Sequence, residues 1–243
     1  MKEKRIFEIY DNIVFFDTET TGLDPNQCQI IEIAAIAYRN SYKERYDLEE
    51  FVQLRDPSER IPKEIEELTG ITTEKVMSEG ITEAEAAKKF ADFVTGEATG
   101  KRSESTLLVA HNANFDLCFV RGWLRGVELP SKLDFLDTLT VFKDRRAYPH
   151  RLQNAIEAYG LENEVQNTHR AIDDVRALVA VTQAMERERE DLLRYINLFG
   201  YNPKYGRPEN RLRRVTYIAQ RFHNCMTSTG QALYSSMEAQ HAN

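Results

Sequence analysis

The chain has 243 residues, of which 42% are hydrophobic, and a formal net charge of −7; this length holds one large or two small domains with a packed core. No apolar run approaches the ~20 residues that span a bilayer, and three well-separated cysteines fit reduced thiols, so we expect a cytoplasmic globular protein without a membrane segment. The negative charge argues against a protein that coats nucleic acid by bulk electrostatics, and a polyanionic substrate would have to be held locally.

The first predicted element is a buried strand that ends in acid. Residues 13–16 read IVFF, and the DTETTG that follows contains a Thr-Thr-Gly turn signal. Asp17 and Glu19 are two residues apart, so in extended chain they project from the same face. Adjacent carboxylates repel one another unless a proton or a cation intervenes, which predicts half of a divalent-metal site. The alternative is that one acid caps the turn and the other is solvated.

Two more strands and two helices are predicted next. Residues 29–38 and 46–54 have the composition of strands, and their short links favour an antiparallel meander with the first strand. Residues 61–68 have helical spacing, and residues 82–94 carry an apolar stripe typical of a packed helix. The polar, glycine-containing segment 96–105 is predicted to be a mobile loop.

A second buried strand, residues 106–110, also ends in polar residues, in the sequence HNANFD. Asn112 or Asn114 is expected to cap the helix that follows. Asp116 falls in the first turn of that helix. It is either part of a site or an acid that complements the helix dipole.

The last long helix of the predicted domain opens at HRAIDD and runs to about residue 189, after strand and helix candidates at 135–142 and 152–159. Asp174 shares a stripe with Ala171 and Leu178, and an acid on a core-facing stripe needs a partner. Asp173 is rotated away and is expected to be solvated. Strands that first pair antiparallel and then alternate with helices predict an α/β fold with a mixed sheet.

Three motifs in this order resemble the DnaQ-like DEDD exonucleases, in the subclass whose fifth residue is histidine. They are DTETTG at 17–22, HNANFD at 111–116 and HRAIDD at 169–174, and LTGIT at 68–72 is also similar to a family element. The resemblance covers roughly residues 10–190. It implies a ribonuclease-H-like fold, with a mixed five-stranded sheet flanked by helices.

The resemblance also implies roles for five residues in 3′-to-5′ removal of nucleotides. Asp17 would bridge two Mg²⁺ or Mn²⁺ ions, Glu19 and Asp174 would complete the coordination of one, and Asp116 would support the other through water. His169 would act as the general base, because imidazole titrates near neutral pH. These carboxylates suit the hard cations that phosphodiester hydrolysis uses.

Substrate contacts are expected beside these residues. The terminal nucleotide is expected along residues 18–20, with Thr18, Thr20, Asn112 and Phe115 as contacts, although Phe115 could equally be a core residue. The segment YPHRL at 148–152 departs from the small residue and lysine often found there in relatives. This departure leaves the substrate contacts at that place open.

The expected function is a proofreading-type exonuclease acting on a nucleic-acid 3′ end, with single-stranded DNA favoured and a DNA polymerase as a possible partner. One alternative is a 3′-to-5′ exoribonuclease. Another is a non-catalytic nucleic-acid-binding or polymerase-binding module with the same fold, which the intact acids and His169 count against. A ribonuclease-H-type endonuclease or transposase would share clustered acids but has no need of the H-x-A-x-x-D spacing.

A composition change near residue 190 predicts an exonuclease domain, 1–190, and a C-terminal extension, 191–243. The extension has seven Lys and Arg against three Asp and Glu, with tyrosines and phenylalanines between them. Such a pattern suits single-stranded nucleic acid, but an amphipathic face packed on the acidic domain explains it as well. The last dozen residues are polar and are expected to be disordered.

Overall fold

The computed structural model describes residues 5–40, 46–97, 100, 102–166 and 168–220. Three residues of the predicted loop at 96–105 and the whole of 221–243 lie outside the described residues. The strands are β1 Asn12–Thr20, β2 Ile30–Asn40, β3 Tyr46–Leu54, β4 Ser105–Ala110, β5 Lys132–Asp137, β6 Leu198–Tyr201 and β7 Thr216–Ala219. The α-helices are α1 Ile6–Ile9, α2 Lys63–Thr69, α3 Thr73–Glu79, α4 Glu83–Thr95, α5 Ala113–Val120, α6 Thr138–Arg145, α7 Leu152–Ala158 and α8 Ala171–Glu188.

Five of the strands form one mixed sheet in the order β3-β2-β1-β4-β5. The first three strands pair antiparallel, whereas β4 and β5 continue the sheet in parallel with β1. The predicted meander and the predicted mixed sheet are therefore both confirmed. β1 lies at the centre, and its acidic end pairs with β2 alone, because the pairing with β4 stops at Phe15.

Helices cover both faces of this sheet and give it two cores. Alternation along β1 sends Ile13 and Phe15 to the core that contains α8, and Val14 and Phe16 to the core that contains α4 and α5. The IVFF run is apolar throughout because both faces of the central strand are buried. The described helices include none that is long and apolar enough to cross a membrane.

The helix starts show where local signals suffice and where they fail. The apolar stripe at 82–94 correctly predicts α4, which Thr82 caps in a capping box with Glu85. The predicted cap of α5 is wrong. Asn112 makes no side-chain cap hydrogen bond, and Asp137 at the end of β5 accepts from the backbone N–H groups of Asn112 and Ala113 instead, at 2.9 and 3.1 Å.

Two short helices, α1 and α3, were not predicted from the sequence. The four residues of α1 are too few to show helical periodicity, and α3 buries only Thr73 and Val76, so it carries no apolar stripe. α3 lies between Gly70 and Gly80 and begins with Thr72, whose hydroxyl accepts from the Lys75 N–H. The segment 135–142 also resolves into two elements, because β5 ends at Asp137 and α6 begins at once.

The segment after α8 packs on the domain up to residue 220. A 3₁₀ turn, Leu192–Tyr195, is followed by the parallel pair β6 and β7. Leu192, Tyr195 and Phe199 are buried, the first two in the α8 core and Phe199 in the opposite core. The Gly200 N–H donates to the Thr140 hydroxyl at 2.9 Å, which ties β6 to α6.

Candidate active site

Three of the predicted metal ligands converge at the end of β1. Asp17 and Glu19 continue the face of Ile13 and Phe15, against which α8 packs, and Asp174 lies in the first turn of α8. One carboxylate oxygen of each of the three lies within 4.8 Å of the others. Because Asp174 lies on the stripe of α8 that packs on the sheet, its side chain lies beside Asp17 and Glu19 on β1.

Asp116 reaches the same region from the other face of the sheet. Thr18 points to that face, and Asp116 Oδ1 accepts from both the Thr18 N–H at 3.1 Å and the Thr18 hydroxyl at 2.7 Å. Asp116 is thus fixed on the neighbouring residue of β1 rather than within the tight group of three. It nevertheless raises the pKa of Asp17 by charge repulsion.

All four acids hold their protons more tightly than free carboxyls do. Burial, followed by repulsion from Asp116 and Glu19, raises the pKa of Asp17 well above its ordinary value. Burial and the neighbouring acids raise the pKa of Glu19 to about 8. Burial also raises the pKa of Asp116 to about 7, against the hydrogen bonds from Thr18, and that of Asp174 to about 7. A bound cation would favour the charged forms and relieve this repulsion.

The donor set fits a divalent cation. Asp174 Oδ1 is buried and has no hydrogen-bond partner within the described part of the chain. A buried carboxylate oxygen without a donor is costly unless something positive binds it. Clustered carboxylate oxygens are the ligands that hard ions such as Mg²⁺ and Mn²⁺ prefer, so Asp17, Glu19 and Asp174 are suitable ligands for one ion.

A buried ion pair that the sequence reasoning missed anchors the start of α8. Glu32, which faces Glu19 across β1 and β2, is fully buried and binds the Arg170 guanidinium at 2.7 and 3.2 Å. Glu32 also accepts from the Ala171 N–H at 3.0 Å. The signal was an acid in the middle of the apolar run QIIEIAAIAY. This pair fixes the helix turn that carries Asp174.

His169, the predicted general base, is exposed and lies just before α8 in the left-handed region, with φ of 56°. Its backbone N–H donates to the Asp174 carboxylate, which lowers the pKa of that acid in opposition to the burial. The imidazole lines a cleft of about 820 Å³ that Asn112 also lines. His169 is therefore adjacent to the acids through the backbone, while its ring is accessible from the cleft.

The predicted substrate contacts fall into two groups. Thr18 and Thr20 are buried, and their hydroxyls donate to Asp116 and to the Gly22 carbonyl oxygen, respectively. Asn112 is exposed, and Phe115 is partly exposed with its ring centroid 5.0 Å from that of Phe119. The two threonines thus engage the protein through their hydroxyls.

Two polar residues of the motifs have other partners. Asp173 accepts from the Thr168 hydroxyl at 2.8 Å and pairs with Arg176 at 3.2 Å, outside the group of three acids. His111 bridges the Thr138 hydroxyl and the His150 carbonyl oxygen, each at 3.0 Å, and burial lowers its pKa. His111 therefore holds the divergent segment 148–152 against the end of β4.

The comparison with protein families assigns the chain to a class. Residues 14–182 match the RNase T model, whose description is Exonuclease. The chain belongs to this exonuclease family, as the resemblance of the three motifs predicted.

Among curated proteins, the chain is similar to two kinds of bacterial DNA polymerase III component. It is 34% identical over 176 residues to DNA polymerase III PolC-type of Thermotoga petrophila, which is 71% of this chain and 12% of that protein. It is 30% identical over 187 residues to the DNA polymerase III subunit epsilon of Treponema pallidum, which is 74% of this chain and 80% of that protein. The chain therefore spans only a small part of the PolC-type relatives.

Solved structures confirm the predicted ribonuclease-H-like fold. Exonuclease I of Methylocaldum szegediense matches with a TM-score of 0.61 and 20% identity, over 76% of this chain and 42% of that one. E. coli exonuclease I in complex with a dT13 oligonucleotide matches with a TM-score of 0.62 and 20% identity, over 76% and 43% of the two chains. At this identity the likeness concerns the fold.

Proposed function

We propose that this chain is a metal-dependent exonuclease that removes nucleotides from the 3′ end of single-stranded DNA. The observation that carries the proposal is the convergence of Asp17, Glu19 and Asp174 within 4.8 Å, with Asp116 hydrogen-bonded to the intervening Thr18. Membership of the exonuclease family supports the same reaction class. A structural acid cluster would be expected to contain its own cations, and this one contains none among the described residues.

The chemistry follows from the side chains present. Two bound Mg²⁺ or Mn²⁺ ions would supply hydroxide near neutral pH and neutralise charge on the phosphate and the leaving oxygen. In this proposal Asp17, Glu19 and Asp174 would hold one ion, and Asp116 would help to hold the other. His169 would accept the proton of the attacking water, because it is an exposed imidazole close to Asp174 and also lines the cleft.

DNA is the proposed substrate because both kinds of curated relative are components of DNA polymerase III. A proofreading role beside a DNA polymerase, in the cytoplasm, follows from the same relatives and belongs to the proposal. RNA is the competing substrate, since the contacts that read a terminal 2′-hydroxyl are not assigned.

The experiment is a time course on 5′-labelled single-stranded DNA and RNA of equal sequence, with Mg²⁺ and with chelator. We expect a ladder that shortens from the 3′ end of DNA only when metal is present. If RNA is shortened faster than DNA, RNA is the substrate and the DNA proposal is wrong. Absence of products on both strands, with binding retained, would favour the non-catalytic binding module. The matched controls are Asp174→Asn, which should abolish the ladder, and Asp173→Asn, which should not.

A further inference from the structure

The cleft that His169 lines extends away from the acids and is larger than one base requires. Its volume of about 820 Å³ lies toward the upper end of the range, roughly 300–1,000 Å³, of pockets that hold small-molecule ligands. His169 and Asn112 belong to its lining, and the His169 N–H contacts Asp174. The cleft therefore adjoins the acid cluster at His169, although the acids themselves are not part of its lining.

The wall of this cleft carries positive charge, in contrast to the acid cluster. None of the described residues that line it is Asp or Glu, although the whole chain has a net charge of −7. Lys143 and Arg151 contribute positive charge. Tyr148 and Tyr205 also line it and are 81% and 78% exposed, unlike the other tyrosines whose exposure the structure describes. Exposed aromatic rings beside basic groups suit single-stranded nucleic acid, because bases stack on the rings and phosphates meet the charges.

Of the two exposed tyrosines, Tyr205 lies outside the part of the chain that matches the exonuclease family, which ends at residue 182. Tyr205 and Asn202 lie in the turn that follows β6, and β6 is tied to α6 by the bond from Gly200 to Thr140. Within the turn, the Tyr205 N–H donates to the Asn202 carbonyl oxygen at 3.0 Å and the Lys204 N–H donates to Asn202 Oδ1 at 2.9 Å. The Lys204 ammonium lies 5.5 Å from the centroid of the Tyr205 ring. The C-terminal segment thus presents a defined ring to the cleft, and a positive charge lies beside that ring.

We propose that this cleft binds the single-stranded nucleotides on the 5′ side of the terminal one, with Tyr148 and Tyr205 stacking on their bases. The proposal rests on the proposed exonuclease function, because it places the terminal nucleotide at the acid cluster. Lys143 and Arg151 face the phosphates between those bases. In the segment after residue 190, buried residues such as Phe199 therefore pack on the domain, whereas Tyr205 binds substrate.

The test compares two substrates that share a terminal nucleotide. The p-nitrophenyl ester of thymidine 5′-phosphate carries only that nucleotide, whereas a 5′-labelled oligothymidylate of about twelve nucleotides also fills the cleft. Tyr205→Ala and Tyr148→Ala should each raise KM for the oligonucleotide roughly tenfold, through the loss of one stacked base. Both variants should hydrolyse the ester like the wild type.

Matched variants separate stacking from general damage. Tyr205→Phe should behave like the wild type on both substrates, since it keeps the ring. Leu48→Ala, which removes an exposed apolar side chain from β3, should also change neither rate. Equal melting temperatures of all variants would show that each is folded. Tyrosine variants that slow ester and oligonucleotide equally would overturn the cleft assignment while leaving the exonuclease proposal intact.

A binding measurement keeps the proposal testable without turnover. The Kd for a fluorescein-labelled oligothymidylate, measured by anisotropy, should be roughly tenfold higher for Tyr205→Ala than for the wild type. The same difference is expected between the Asp174→Asn protein and the double variant that also carries Tyr205→Ala. An unchanged Kd in both backgrounds would reject the strand as the occupant and leave a protein partner as the alternative. A wild type that binds through Tyr205 but cleaves neither substrate would refute the exonuclease function alone.

Discussion

The two ends of α8 both gather acidic side chains, but only one end supplies the cations that balance them. At the C-terminal end, the Arg145 side chain is 1% exposed and binds Asp191 at 2.5 Å and Glu188 at 3.2 Å. At the N-terminal end, Asp17, Glu19 and Asp174 form no ion pair among the described residues, and the nearby Arg170 is bound to Glu32. The balanced end is explained by stability alone, whereas at the unbalanced end only protons or a bound cation could offset the repulsion among the acids.

The substitution with the greatest predicted consequence removes Arg145 from the balanced end of α8. Arg145→Met should lower the free energy of unfolding by about 3–5 kcal/mol, because it breaks a buried ion pair and leaves Asp191 only the more distant Arg189, at 3.9 Å. The control is Arg146→Met. Arg146 is partly exposed and binds Glu188 at 2.6 Å, so its loss should cost about 1 kcal/mol or less. Urea unfolding of the three proteins measures the difference, and equal losses for the two variants would contradict this account of the cluster.

The next effect concerns the unbalanced end. Asp174→Asn should lower turnover roughly a thousandfold, which is about 4 kcal/mol of activation free energy, since a metal ligand is lost. Without metal the variant should be as stable as the wild type or more so, because it removes one repelling charge.

Melting curves with Mn²⁺ and with chelator sharpen that prediction. Mn²⁺ binds the folded state and should raise the melting temperature of the wild type by mass action. Asp174→Asn should lose most of this increment, and Asp173→Asn should keep it. An Asp174→Asn protein with the full increment and normal turnover would mean that both ends of α8 are structural.

His169→Ala should slow turnover by about 100-fold, because it removes a proton acceptor. The metal increment in melting temperature should stay near that of wild type, since His169 is not in the group of three ligands. The control is His169→Gln, which separates the loss of basicity from the loss of side-chain volume. His150→Ala is not a matched control, because His150 is buried. Wild-type turnover in both variants would reject the general-base role.

The raised pKa values also predict a pH dependence of the metal-free protein. The pKa of Glu19 is raised to about 8 and those of Asp116 and Asp174 to about 7. Unfolded carboxyls titrate near pH 4, so between about pH 4 and 8 the folded state binds more protons and its stability falls as pH rises.

Unfolding midpoints at several pH values, with chelator and with Mn²⁺, measure this slope. Mn²⁺ should reduce the fall, because it replaces the protons on the carboxylates. Asp174→Asn should show a shallower fall than wild type in chelator. Identical slopes would indicate that Asp174 does not take part in the coupled titration.

Features that depend on the local period of a strand or helix could be predicted from the sequence. Alternation along β1 placed Asp17 and Glu19 on one face, and the helical stripe placed Asp174 toward the core. The sheet, most of the elements and the exonuclease family were predicted in the same way, from runs of residues and motifs. The roles of the five predicted site residues stay predictions until the variants are measured.

The pairing of side chains from distant segments could not be predicted from the sequence. The cap of α5 comes from Asp137, 25 residues beyond Asn112, and the anchor of α8 joins Glu32 to Arg170 across 138 residues. Tyr205 reaches the cleft because β6 packs on α6. A residue's face is fixed by its own strand or helix, but its partner depends on the order in which the strands assemble. That order brings together segments that carry no signal of each other in the chain.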